Sequence, residues 1–381
     1  MEIKKTKLIY IVNARIPTEK AHGYQICKMC EEFSNIGVEV ELWTPTRDNH
    51  IQEEAFSFYG IKNNFRVRKI KSFDFLRFKK FLGRLTFWLN SLLFLIKLAV
   101  KKIDKEIVIY TRNPEIAWWF SFRKYKTVFE AHNWPRSKIR LYAFLLRNTD
   151  KIICNSRGTE RELEKRNFKN TIVAPNGVDL EKFNISDNEV RLKKEFNLPL
   201  NKKIVMYIGH LYTWKGIKII IDAAKLLISQ KDIVFVLVGG TDIDLEEHSQ
   251  MIRREELSNI ILSGYQRKDK MPKYLKCADI LLLPNIPLSK ESIEYTSPIK
   301  MFEYMASKKP IIASDLPSIR EILSDDNCVF CKSGNVQSLA DKISLLIFDQ
   351  ELGRKKAEQA YIDVQKYTWS KRAKNVLKFI E

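Results

Sequence analysis

The sequence predicts an α/β chain of two doubly wound domains in tandem, each a parallel sheet with helices on both faces, and a crevice between them. Three observations lead there. Short runs rich in Val and Ile recur along the chain, helical patterns separate them, and the alternation stops once and restarts. The 381 residues suffice for two domains of ordinary size. Hydrophobic residues at 45% and charged residues at 29% describe a folded globular chain rather than a disordered one.

The first strand is expected at 7–12 (KLIYIV). The lysines before it resemble the opening of a signal peptide, but the apolar run is only 8–12 and is followed by Asn13 and Arg15, so it reads as a buried strand. Further strands are expected at 38–43, 107–111, 127–132, 151–156 and 171–176, with helical patterns at 22–36 and 157–166. The stretch 181–202 is polar and ends in a turn. A second series follows at 203–209, 233–240, 259–264, 278–284, 310–315 and 327–332, with helices at 215–230, 299–307 and 336–349. The domains are accordingly placed at 1–182 and 183–365, and the amphipathic tail 366–381 is expected to cross back to the first. There is no short-period repeat and no low-complexity tract.

Net charge is +20, and residues 61–105 hold thirteen Lys/Arg against Asp74 and Asp104, a local +11. Inside that segment, 81–100 is apolar but interrupted by Arg84, Asn90 and Lys97, so it is not a transmembrane span. Basic flanks around Trp, Phe and Leu suit a helix lying on an anionic bilayer. The alternative is a core helix with a solvated basic collar. The aromatics alternate with aliphatics rather than forming a spaced stacking platform, so no nucleic-acid partner is expected. The six cysteines include two C-x-x-C pairs, Cys27/Cys30 and Cys328/Cys331, almost 300 residues apart. Reduced cysteines of a cytosolic protein explain them better than a zinc site.

The chemistry-bearing residues gather at expected strand ends. In SPIKMFEYMA, Ser297 would cap a helix and Pro298 would take its first position. Lys300 then stands third, where a capping box carries Glu or Gln and where the helix terminus is already positive. Glu303 follows at i+3 on the same face. Either the two form a surface ion pair, or helix amides and Lys300 hold a diphosphate while Glu303 binds vicinal hydroxyls of a ribose. In YIGHLYTWKG, Gly209 allows close approach to the backbone and Lys215 would open the next helix as a point charge for phosphate. Gly239-Gly240 ends another strand, as a ligand approach or a tight turn. Asp242-x-Asp244 matches a metal-binding D-x-D, although solvated loop acids are the simpler reading. In the first domain, His22-Gly23 opens a helix whose free amides suit phosphate. Glu130 and His132 project to one side of a strand end, the histidine being either a structural hydrogen-bond donor or a contact to a polar ligand.

Together, AHGYQICKMCEEFSNIGVEVELWTP (21–45), NSRGTEREL (155–163), APNGVDLEKF (174–183), YIGHLYTWKG (207–216) and SPIKMFEYMASKKPIIASDLPSIREI (297–322) resemble the retaining GT-B glycosyltransferases of the family-4 type, over nearly the whole chain. The resemblance implies two Rossmann-like domains facing an interdomain cleft, acceptor side first and nucleotide-sugar side second. It implies transfer of a sugar from a nucleotide-diphosphate donor to a glycan or lipid-linked acceptor, with retention, in cell-surface polysaccharide or glycoconjugate synthesis. It implies no cofactor and no bound metal. Lys215, Lys300 and His132 would be the catalytic set. Gly23, Gly209, His210, Gly239, Ser297, Pro298, Ile299 and Glu303 would bind the donor. His22, Arg84 and Trp88 would lie on the acceptor or membrane side, and a peripheral position on the cytoplasmic face of the membrane is expected. Two positions depart from the family's pattern: His210 stands where many members carry Arg, and Tyr295 where E-x7-E requires Glu. No residue is clearly placed as a nucleophile, so same-face substitution, with the leaving phosphate taking the acceptor's proton, is the expected mechanism. The alternatives are a nucleotide-sugar epimerase of the same architecture, separable by product analysis, and a basic peripheral membrane-binding module without catalysis.

Overall fold

The computed structural model describes residues 6–381 and divides into two units, residues 6–175 with Trp369–Glu381, and Asn176–Thr368. The first holds a seven-stranded sheet in the order β3-β2-β1-β4-β5-β6-β7. Its strands are β1 (Lys7–Ile11), β2 (Glu39–Pro45), β3 (Arg66–Ile70), β4 (Val108–Thr111), β5 (Thr127–Ala131), β6 (Lys151–Cys154) and β7 (Thr171–Val173). The second holds a six-stranded sheet, β10-β9-β8-β11-β12-β13. Here the strands are β8 (Lys203–Ile208), β9 (Ile233–Val238), β10 (Ile260–Gly264), β11 (Ile280–Leu283), β12 (Ile311–Ser314) and β13 (Val329–Cys331). Every pairing within these sheets is parallel. All four residues of β4, β11 and β12 and all six of β9 are buried, as sheets covered on both faces require.

Each expected strand is present, most of them shortened by up to three residues where the chain turns into its loop, while β2 runs two residues past its expected end. β3 escaped the sequence reading because Arg66, Arg68 and Lys69 make it look like part of a solvated basic run. It is an edge strand, where charge on the exposed side is tolerated and discourages pairing with other chains. The boundary at 182/183 also moves. Residues from Asn176 belong to the second unit because the Asn176 amide N–H donates to Ser297 Oγ (3.2 Å) and Val178 bridges Thr368. The tail rejoins the first unit at Trp369 rather than at 366. Its helix, Trp369–Ile380, buries Trp369, Arg372, Ala373, Val376 and Ile380 along one face.

All six cysteines are buried and unpaired with one another. Asp244 is the third residue of helix Asp242–Arg254 and closes a capping box with Thr241. No helix among the described residues is long and apolar enough to cross a membrane.

Candidate functional site

In a parallel sheet all carboxyl ends lie on one edge, and in the second unit that edge gathers the loops after β8, β9 and β11. Gly209 has φ +140°, and a side chain there would begin 2.6 Å from Lys300 Nζ. The glycine is therefore required for the lysine to approach the strand end. Gly239, at φ +120°, faces the Gly209 carbonyl in the same way.

The helix after this edge starts one residue later than expected. It spans Ile299–Ala306 with Pro298 at the cap position, so Lys300 is its second residue and Ser297 makes no side-chain cap. Ser297 instead accepts from the Asn176 amide through Oγ, while its carbonyl accepts from Asn176 Nδ2 (2.6 Å). The Lys300–Glu303 pair is also replaced. Glu303 Oε1 is bound by Lys268, a residue the sequence reading passed over because it lies 35 positions away. Lys300 Nζ is left solvent-shielded with no hydrogen-bond partner among the described residues. It rests 3.8 Å from the centroid of the Tyr207 ring. Burial, and secondarily the neighbouring Lys215 ammonium, push its pKa well below the lysine value.

Lys215 does not open a helix. It ends the 3-10 turn Thr213–Lys215, and the helix runs Ile217–Leu226. Its Nζ sits 3.5 Å from the Trp214 ring centroid, and burial lowers its pKa to about 7, opposed by Glu291. Asn285, just after β11, is fully buried with neither side-chain amide atom partnered among the described residues. His210 stacks flat on Tyr212, centroids 4.8 Å apart, so this position presents an aromatic face. Tyr295 is buried, within the π turn Glu291–Tyr295, and Glu294 is half-buried. The edge thus concentrates two desolvated lysines and unpaired polar atoms, an arrangement that an anion would satisfy.

The first unit has a different centre. Glu130, at 1% exposure, accepts from Tyr10 Oη (2.9 Å), Tyr110 Oη (2.9 Å), Gln25 Nε2 (2.8 Å) and Arg372 Nη2 (2.7 Å). His132 Nε2 lies 2.8 Å from its Oε1. The buried carboxylate is held well below the usual range by Arg372 foremost, despite desolvation. Being ionised, it accepts from His132 Nε2–H and leaves Nδ1 as the free acceptor nitrogen. Burial, then Arg112, lowers His132 to about 4, and His22 falls to about 4 chiefly by burial. His132 is thus a hydrogen-bond donor to Glu130, and its neutral ring keeps Nδ1 as an acceptor. Tyr10, Gln25, Tyr110 and Arg372 carried no signal in the sequence, since their contacts to Glu130 span 20 to 242 positions.

Gly23 does not offer a free amide, because its N–H donates to Lys20 O (3.0 Å). Its missing side chain makes room for the Tyr59 hydroxyl, which donates to Thr18 O (2.9 Å). Packing explains this glycine without phosphate. His22 lies in the first turn of helix Ala21–Asn35, half-buried, while Arg84 and Trp88 are exposed at the start of helix Leu85–Ala99.

One expected result follows from the two histidines. Their folded pKa values lie below the ordinary 6.5, so the unfolded state binds more protons between about 4 and 6.5. Stability should fall as pH drops through that window, measured by denaturant midpoints, and His132→Gln should flatten the slope. An unchanged slope in the variant would refute the assignment of His132 as buried and neutral.

Residues 188–363 match the family Glycosyl transferases group 1, and residues 23–182 match Glycosyltransferase Family 4. The chain is 29% identical over 225 residues to the Campylobacter jejuni N,N'-diacetylbacillosaminyl-diphospho-undecaprenol alpha-1,3-N-acetylgalactosaminyltransferase, covering 58% of this chain and 56% of that protein. It is 29% identical over 206 residues to the Escherichia coli UDP-Gal:alpha-D-GlcNAc-diphosphoundecaprenol alpha-1,3-galactosyltransferase, covering 52% and 49%. The chain therefore spans about half the length of these curated relatives. The crystal structure of Anabaena Alr3699/HepE in complex with UDP and glucose superposes with a TM-score of 0.77 at 18% identity, covering 98% of both chains. Two parallel-sheet units, matches to both families and this likeness of fold agree: the chain belongs to the GT-B glycosyltransferases of group 1, the family-4 type.

Proposed function

We propose that this protein transfers a sugar from a nucleotide-diphosphate-sugar donor to a glycan or lipid-linked acceptor, with retention, in cell-surface polysaccharide or glycoconjugate synthesis. The observation that carries the reading is the buried, unpartnered Lys300 ammonium beside Lys215 at the carboxyl edge of the second sheet. A diphosphate supplies the charge that this pair lacks. The relatives named as acting on diphospho-undecaprenol-linked sugars support a lipid-linked acceptor, and the neighbour solved with UDP and glucose supports a nucleotide-sugar donor.

In the step itself, the bond from the anomeric carbon to the diphosphate breaks and a bond to the acceptor oxygen forms on the same face. The acceptor's proton passes to the departing diphosphate. Lys215 and Lys300 stabilise the charge that develops there, while His132 presents Nδ1 to a donor-sugar hydroxyl. Neither a metal nor a cofactor takes part in this reading. Segment 61–105, at +11, draws the protein to the anionic cytoplasmic face of a membrane, where a lipid-linked acceptor is found.

Thermal stabilisation by UDP, GDP and ADP, and then by their sugars, tests the donor class. Because diphosphate binds protonated Lys215, whose free value is about 7, affinity should weaken as pH rises above about 7. Lys215→Ala should cost about 2–4 kcal/mol of transition-state stabilisation. Near-wild-type turnover in a folded Lys215→Ala protein would overturn the assignment.

A further inference from the structure

We propose that the outward face of helix Leu85–Ala99 enters the acyl region of an anionic bilayer, so that the protein is seated by apolar insertion and not by charge alone. This rests on the membrane-surface reading above and adds the contact that would anchor it.

The helix turns apolar side chains outward as well as inward. A surface helix ordinarily turns its apolar stripe to the core and its polar face to water. Here the buried positions are Thr86, Asn90, Phe94 and Leu98, every fourth residue, and two of the four are polar. That polar half is pinned in place. Asn90 Oδ1 accepts from Arg47 Nη1 (3.0 Å) and from the Phe75 amide (2.9 Å), and Thr86 Oγ1 donates to the Gly83 carbonyl (2.8 Å). The opposite face presents Leu85, Trp88, Leu92 and Ile96, between 50% and 60% exposed. Their spacing of three and four residues lines them up as one stripe, with no charged residue among them. Phe81, 87% exposed, is a further apolar side chain just before the helix. Solvent gains nothing from such a face, so a partner is implied.

Charge names the partner. Arg84, Lys97, Lys101 and Lys102 border the stripe, and Lys138 Nζ lies 4.9 Å from the Trp88 ring centroid. Beside it, a cavity of about 450 Å³ is lined by Thr46, Lys71, Ser72, Phe73, Leu93 and Lys97. The Ser72 hydroxyl is buried there without a hydrogen-bond partner among the described residues. A lipid phosphate would meet two ammonium groups and a hydroxyl at that point. A second copy of the chain fits poorly, because it would bring two segments of +11 together. The helix has 15 residues, too short to span a bilayer, so it lies in the interface with its apolar side down.

The test is sedimentation of the full chain with vesicles of phosphatidylcholine, alone and mixed with phosphatidylglycerol, at low salt and at about 1 M, where the screening length is about 3 Å. Tryptophan quenching by brominated acyl chains is read in parallel. The wild type should bind the anionic vesicles, keep part of that binding in high salt, and be quenched. Trp88→Phe should lose most of the quenching. Leu92→Gln with Ile96→Gln should weaken partitioning about tenfold per side chain, with nucleotide-induced stabilisation unchanged. Binding that high salt abolishes, with equal quenching in wild type and Trp88→Phe, overturns insertion but leaves electrostatic surface contact standing. No vesicle binding under any condition overturns both, leaving the nucleotide-sugar reading to its own test. Self-association abolished by Leu92→Gln with Ile96→Gln would assign the stripe to a second copy and overturn the proposal.

Discussion

Lys300→Met is expected to abolish stabilisation by nucleoside diphosphate and, in the absence of ligand, to raise the melting temperature. The two effects have one cause. The ammonium is shielded from water, finds no acceptor among the described residues and is repelled by Lys215, with the nearby Glu303 carboxylate offsetting part of this. Methionine has similar reach and no charge, so it relieves a penalty of about 1–3 kcal/mol for a buried polar group without a partner. In a domain of this size that corresponds to about 2–4 °C per kcal/mol. The same substitution removes the cation that would meet the diphosphate. Differential scanning calorimetry with and without UDP reads both. A lysine serving only the fold would give the reverse pattern, a lower melting temperature and unchanged nucleotide affinity.

The second large effect is structural. Arg372→Met should cost about 3–5 kcal/mol, because it leaves the buried Glu130 carboxylate without its main counter-charge. Arg372 also donates from Nε to the Pro175 carbonyl (3.0 Å), so the loss reaches the chain end of the first unit. Adding Glu130→Gln should recover part of the loss, since a neutral amide needs no counter-charge. Urea denaturation of the wild type, both single variants and the double variant gives the coupling energy. Additive losses would mean that Arg372 acts through packing and not through Glu130.

These two lysine and arginine sites differ in how far the sequence disclosed them. The period of the pattern, Val- and Ile-rich runs set between helices, determined two parallel sheets, because only strands buried on both faces read that way. Lys300 was legible too: a lysine at a helix start behind Ser-Pro contradicts local electrostatics, and that misfit is a local property. The sequence alone also determined the +11 concentration in 61–105.

What only the tertiary structure decided was partnership. Glu303 binds Lys268 and not Lys300, because the 3-10 turn Lys268–Lys270 after β10 brings that ammonium to the helix. Arg372 reaches Glu130 across 242 positions, a contact for which no spacing rule exists. Gly23 looked like a phosphate turn and proved to be room for the Tyr59 hydroxyl. β3 was hidden by its own charges, since an edge strand needs only one protected side. The half-polar inner face and apolar outer face of helix Leu85–Ala99 share one periodicity with their inverse, so the pattern predicted the stripes but not their direction. Periodicity encodes which residues share a face; the fold alone assigns that face to the core, to a ligand or to the solvent.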